Sequence, residues 1–122
     1  MILADTSVWI DHLNRGDRTL NSLLQAGQVF MHPFILGEVA LGSVRNRKQV
    51  LEILHDLPRT VVAEDREVLR LIEDWELAGS GIGYGDVHLL SAVLLTPRTR
   101  LWTRDRRLLR VAQQLSLDAG LA

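Results

Sequence analysis

The sequence contains no cysteine, which excludes disulfides, iron–sulfur clusters and cysteine-bound zinc. Lysine is almost absent: Lys48 is the only one among fourteen basic residues, so lysine-based catalysis would rest on it alone. No charge of one sign predominates. Fourteen Lys and Arg face fifteen Asp and Glu, a formal net charge of −1. That excludes a uniformly basic nucleic-acid binder but leaves room for a local basic patch. Long hydrophobic runs are missing too. The longest, near Leu89 to Leu95, is broken by Ser91 and is far short of the roughly 20 residues of a membrane helix. No basic segment precedes the first apolar residues and Asp5 interrupts them, so no secretory signal is expected. What is present is ordinary globular material, 47% hydrophobic and 24% charged over 122 residues. Such a chain has enough apolar surface to offset its conformational entropy. The expectation is one cytoplasmic domain over residues 1–122.

Short apolar runs alternate with helical patterns. Strands are expected at Ile2-Leu3-Ala4, Val29-Phe30-Met31, Thr60-Val61-Val62-Ala63 and Arg100-Leu101-Trp102-Thr103. Thr6 and Ser7 are placed to cap a first helix, Asp17 to open a second, and Pro33 to begin a third. A fourth runs through Val50 to Leu57 before Pro58, a fifth from Asp65, a sixth from Asp86 to Leu95, and a seventh from Arg106 to Leu115. The last carries Leu108, Ala112 and Leu115 on one side and Arg106, Arg110 and Gln113 on the other. Trp9 and Trp75 both fall on apolar faces and are read as core. This order predicts an α/β fold, a central parallel sheet of four or five strands flanked by about seven helices. In such sheets the working site lies at the carboxyl ends of the strands.

Four acids stand out on that criterion. Asp5 follows the first strand and Asp105 the last. Glu38 interrupts an otherwise apolar helix, and Asp86 opens a helix after the glycine-rich segment Gly79-Ser80-Gly81-Ile82-Gly83-Tyr84-Gly85. Capping alone would account for Asp86 and Asp105, a turn for Asp5, and an exposed stripe for Glu38. Together in one pocket, four carboxylates would repel unless protonated or bridged by a cation. Mg²⁺ or Mn²⁺ suits such oxygens. Zinc does not: His12, His32, His55 and His88 show no paired ligand spacing. A carboxylate-held divalent ion, without a catalytic lysine or phosphate loop, points to hydrolysis of phosphodiesters by a metal-activated water.

At this point the chain resembles the PIN-domain ribonucleases, and among them the VapC toxins of type II toxin–antitoxin pairs. The resemblance rests on Ile2-Leu3-Ala4-Asp5-Thr6-Ser7, on Glu38, on Gly85-Asp86-Val87-His88-Leu89-Leu90 and on Trp102-Thr103-Arg104-Asp105, in that order. It implies a three-layer α/β sandwich. It also implies that Asp5, Glu38, Asp86 and Asp105 form the acidic quartet that binds Mg²⁺ or Mn²⁺. Thr103 matches the family's Thr-x-Asp motif and Ser7 a small polar support for the first aspartate, with Thr6 beside it. The implied activity is endonucleolytic cleavage of tRNA or rRNA loops. The implied partners are a VapB-type antitoxin and a second copy of the toxin. His88 stands where many relatives have an aliphatic residue, and reads either as an RNA contact or as a group orienting an acid.

Arg98, Arg100, Arg104, Arg106, Arg107 and Arg110 crowd around Asp105. They form either a phosphate-binding patch or a solvated face. Arg104, which flanks Asp105, is the first RNA-contact candidate, with Arg106, Arg107 and Arg110 behind it. The alternating glycines lack the spacing of a dinucleotide loop and read as a hinge or mobile rim beside the site. A phosphatase or receiver with an aspartyl nucleophile would need a second acid where Ser7 stands and a lysine after a strand. A binding module whose acids are all caps would not place Glu38 in mid-helix.

Overall fold

The computed structural model describes residues 1–122. β1 (Ile2–Ala4) runs through the centre of the molecule and is followed by α1 (Thr6–Arg15), α2 (Arg18–Gln25) and β2 (Val29–Phe30). Then come α3 (Pro33–Leu41), α4 (Arg47–His55), α5 (Asp65–Asp74), α6 (Tyr84–Leu95), β3 (Arg100–Trp102) and α7 (Arg106–Gln114). The sheet is parallel throughout, in the order β2-β1-β3. Ile2 pairs with Val29 on one side and Arg100 on the other, and Ala4 ends opposite Trp102. The chain leaves β1 to one side for β2 and returns on the other for β3. The carboxyl ends of β1 and β3 therefore flank a switch point, where open α/β sheets place their ligands.

Seven helices form as expected, but the sheet has three strands, not four or five. The run Thr60-Val61-Val62-Ala63 is not a strand. Only a single bridge, Met31 to Arg59, extends the β2 edge, and another, Leu101 to Asp118, extends the β3 edge. Thr60 still donates its N–H to Met31, but the next amide, Val61, donates to the Thr96 hydroxyl at 3.0 Å. The chain has left the sheet by then, and Val61 and Val62 are exposed. β-branched residues favour a strand only where a neighbouring strand offers pairing.

The core is built on β1. Leu3, Ala4, Leu101 and Trp102 are buried, as are Val8, Leu20, Ile35, Val68, Leu90 and Leu108 from the helices. Each fully buried Leu or Ile contributes about 1.5–3 kcal/mol of apolar transfer. Seven consecutive residues of α6, Val87 to Val93, are buried, His88 and Ser91 among them. α1 packs on α3, α3 on α4, and α5 on α6, which in turn lies against β3. Trp9 is core, whereas Trp75, also expected there, caps the end of α5 and is about half exposed. α4 stops at His55, before Leu57.

Candidate active site

Asp5 is the first residue after β1 and the N-cap of α1; Thr6 and Ser7, expected in that role, lie inside the helix. Its carboxylate is enclosed by donors. Ser7 gives its N–H at 3.0 Å and its hydroxyl at 2.5 Å to Oδ1, and Thr103 gives its hydroxyl at 2.6 Å to Oδ2. Each hydroxyl also accepts from the loop after β3: Ser7 Oγ from the Arg104 N–H at 3.0 Å, Thr103 Oγ1 from the Asp105 N–H at 3.1 Å. Two hydroxyl bridges thus tie the first aspartate to the backbone that carries the last. Asp5 is 6% exposed. That burial pushes its carboxyl above the ordinary range, against the hydroxyl and amide donors that pull it down. Beside it the Thr6 hydroxyl is buried without any partner.

Asp105 caps α7, with Oδ1 accepting the N–H groups of Arg107 and Leu108, both at 3.0 Å. Asp86 sits in the first turn of α6, which begins at Tyr84 rather than at Asp86. Its Oδ2 accepts the Gly83 N–H at 3.1 Å. The Asp86 carboxyl is also pushed up, first by burial and then by the negative charges of Asp105 and Asp5, with the Gly83 amide opposing. Asp86 therefore feels both of the other aspartates at the switch point. Capping explains one oxygen each of Asp86 and Asp105 and leaves the other without a protein donor.

Glu38 is contributed by α3. It is exposed on α3, beside a cavity of about 140 Å³ that it shares with Ile10, Leu13 and Asn14 of α1. No three acidic or histidine side chains converge at metal-ligating distance. The donor set nevertheless fits a hard divalent cation. It comprises free carboxylate oxygens in mutual repulsion, with no basic side chain neutralising them.

The arginines divide. Arg104, expected to contact RNA, is engaged inside the protein. One terminal nitrogen meets Asp11 at 2.7 Å, the other meets Asp17 at 2.5 Å, and Nε donates to the Ala122 carbonyl at 3.1 Å. Its guanidinium lies 5.3 Å over the Trp102 ring. Asp17, which also caps α2, is held below the ordinary carboxylate range, chiefly by Arg104. Arg106 and Arg110 are exposed on α7 and form no ion pair. Arg107 reaches across to the glycine-rich segment, 3.5 Å from the Gly81 carbonyl. Gly81 has φ +87, and a side chain there would press on Arg107 at 3.0 Å.

His88 does not reach the acids of the switch point. It is buried in α6 and its Nε2 donates to Asp65 at 3.1 Å. Phe34 and Tyr84 pack around its ring. His32, buried at the N-cap of α3, accepts the Phe34 N–H on Nδ1 at 3.0 Å. None of Phe34, Tyr84, Asp65 or His32 was singled out from the sequence as part of the site. For Phe34 the available signal was helical spacing, one turn before Glu38; Tyr84, two residues before Asp86, carried no such signal.

A family model described as the PIN domain matches residues 2–114. The chain is also 46% identical over 108 residues to proteins named Ribonuclease VapC32 from two strains of Mycobacterium tuberculosis, covering 88% of this chain and 87% of each of them. The match spans β1 through α7 and so takes in every residue of the switch point. The chain belongs to the PIN-domain family, within it to the VapC-type ribonucleases.

Proposed function

We propose that this protein is the toxin of a VapBC-type pair, a Mg²⁺- or Mn²⁺-dependent endoribonuclease that cuts tRNA or rRNA loops in the cytoplasm and so stops translation. The observation that carries the reading is the grouping of Asp5, Asp86 and Asp105 at the switch point, where burial first and then the other two charges raise Asp86. Glu38, on the neighbouring helix, is the fourth acid of the proposed site. When bound, the divalent ion would offset the phosphate charge and make an attacking water more acidic. The chain's own part is to hold the acids. Ser7 and Thr103 fix the Asp5 carboxylate and the loop of Asp105 as one unit. Asp105 and Asp86 each spend one oxygen on a helix N-terminus and keep the other for the ion. Arg106, Arg107 and Arg110 supply positive charge on the α7 side for the RNA backbone.

The proposed partner is a VapB-type antitoxin that covers the acids, in a homodimer of the toxin or a heterotetramer or larger assembly with it. No helix is long and apolar enough to cross a membrane. The test is cleavage of total RNA with Mg²⁺ by wild type and by Asp5→Ala. Cuts made only by wild type, abolished by EDTA and bearing 5′-phosphate and 3′-hydroxyl ends, support the reading. A 2′,3′-cyclic phosphate would overturn it, since that product requires attack by the ribose hydroxyl.

A further inference from the structure

The chain has only six aromatic residues, three Trp, two Phe and one Tyr. Trp9 and Trp102 are spent in the core. Phe34 and Tyr84 are instead 38% and 44% exposed, and they stand together. Phe34 comes from the first turn of α3 and Tyr84 begins α6, yet both pack on the buried His88 ring, with centroids 4.6 and 4.9 Å away. The anchoring is polar underneath. His88 donates to Asp65 Oδ1 at 3.1 Å, and the Tyr84 hydroxyl donates to the same oxygen at 2.9 Å. Phe34 is braced from behind by His32, 5.2 Å away and edge-on. Two partly exposed rings are thus fixed before any ligand arrives.

Their surroundings are cleared. Gly37 and Gly85 lie within helices, neither with φ in the left-handed region, so no backbone demand explains them. A side chain at 37 would meet nothing within 4 Å, and one at 85 would rest against the Phe34 ring at 3.6 Å in ordinary contact. Glycine weakens a helix relative to alanine. At position 85 its effect is to leave that edge of the Phe34 ring uncovered.

The position is functional as well. Glu38 follows Phe34 by one turn on the same face of α3, and Asp86 accepts the amide of Gly83, the residue that leads into Tyr84, so the rings border the proposed phosphodiester site. Arg107 reaches the loop that leads into Tyr84. Fixed π surface beside a cation and a candidate metal site is what a splayed nucleotide needs: a face for the base and charge for its phosphate.

We propose that Phe34 and Tyr84 form a stacking platform for an unpaired RNA base adjacent to the bond that is cut. This rests on the ribonuclease reading above and adds to it a requirement for a single-stranded, unstacked nucleotide. The test uses short single-stranded RNAs carrying 2-aminopurine at successive positions, with steady-state cleavage in Mg²⁺. Wild type should quench the fluorophore at one position next to the cut. Phe34→Ala and Tyr84→Ala should each raise KM by roughly tenfold or more, with kcat little changed, and lose the quench. Phe34→Leu, which keeps apolar packing without the ring, should behave like Phe34→Ala. Tyr84→Phe, which keeps the ring without the bond to Asp65, should retain most of the quench. Thermal melts of each variant separate unfolding from loss of stacking. Wild-type cleavage with an unchanged KM and quench in the folded Ala and Leu variants would overturn the platform alone. Absence of Mg²⁺-dependent cleavage of total RNA by wild type would overturn the ribonuclease reading with it. Unchanged RNA kinetics together with weaker binding of a VapB-type antitoxin peptide would assign the rings to a protein partner instead.

Discussion

At the scale of single residues, Asp5 and His32 show opposite uses of burial. Asp5 is buried as a charge, and the enclosing Ser7 and Thr103 donors do not fully offset the cost. A neutral isostere should relieve that cost while removing the charge the reaction needs. Asp5→Asn is therefore expected to lower cleavage about a hundredfold or more, the scale of losing one preorganised charged or polar group at a reaction centre. Its thermal midpoint without divalent ion should stay within a few degrees of wild type. An unfolded variant would mean that the Asp5 hydrogen bonds serve chiefly the fold. His32 is buried as a neutral ring. Burial first, then the nearby His88 and Arg59, lower it from 6.5 to about 4. Between those values the unfolded chain binds the proton and the native one does not, so His32 destabilises the protein as pH falls through that window. Protonation would also remove the acceptor that caps α3. His32→Asn keeps a capping oxygen without a titrating ring. Urea unfolding at pH 7 and pH 4.5 should show a smaller loss of stability for the variant; equal losses would place the acid sensitivity elsewhere.

At the scale of elements, Arg104 is a clamp. It joins the loop after β3 to Asp11 of α1, to Asp17 at the cap of α2 and to the chain end at Ala122. Its own amide holds Ser7. Arg104→Met leaves Asp17 without its cation and Asp11 with Arg15 alone, and should cost about 1–3 kcal/mol, the range for losing hydrogen bonds to charged groups. It should lower kcat by loosening the hold on Asp5. Arg106→Ala and Arg110→Ala, exposed and free of ion pairs, should leave stability alone, raise KM and each reduce the salt slope of RNA affinity by about one. If Arg104→Met instead reproduced that salt-dependent KM effect at full stability, the clamp would be refuted.

The same elements show what was legible in the sequence. Asp17 and Pro33 announced their helices, because caps are decided within one turn of chain. The two aspartates that leave β1 and β3 were legible from the strand order alone. The missing strand at 60–63 was not, since its fate turns on Thr96, 35 residues away. Nor was the engagement of Arg104, whose partners lie 93 and 87 residues back. Local spacing also could not tell that Phe34 and Tyr84 would meet over His88, which depends on how α3 and α6 pack.

At the scale of the whole molecule, the acids make stability, pH and divalent ions one linked problem. Asp5 and Asp86 both have carboxyl values raised first by burial, and Asp86 also by the charges of Asp105 and Asp5. Above those values both are ionised and the native state bears the cost of their burial and repulsion. As pH falls through the raised values, the native state takes up protons before the unfolded chain does, so the contribution of these two groups to stability improves. A divalent ion that binds only the native site acts in the opposite direction on pH. It stabilises most where the acids are ionised, by about 2.7 kcal/mol at a hundredfold excess over Kd. That corresponds to a rise in midpoint of about 10 °C for a domain of this size. The stabilisation should shrink on acidification, because protons compete with the ion for the same oxygens. Likewise the acid limb of cleavage should lie above the ordinary carboxylate value of 3.8 at low Mg²⁺ and move downward as Mg²⁺ is raised. Melting curves with Mg²⁺ and Mn²⁺ at pH 7.5 and pH 5, on wild type and Asp5→Asn, measure both arms. A gain that is the same at the two pH values, or that survives in Asp5→Asn, would place the ion away from the switch point and remove the physical basis for cleavage there.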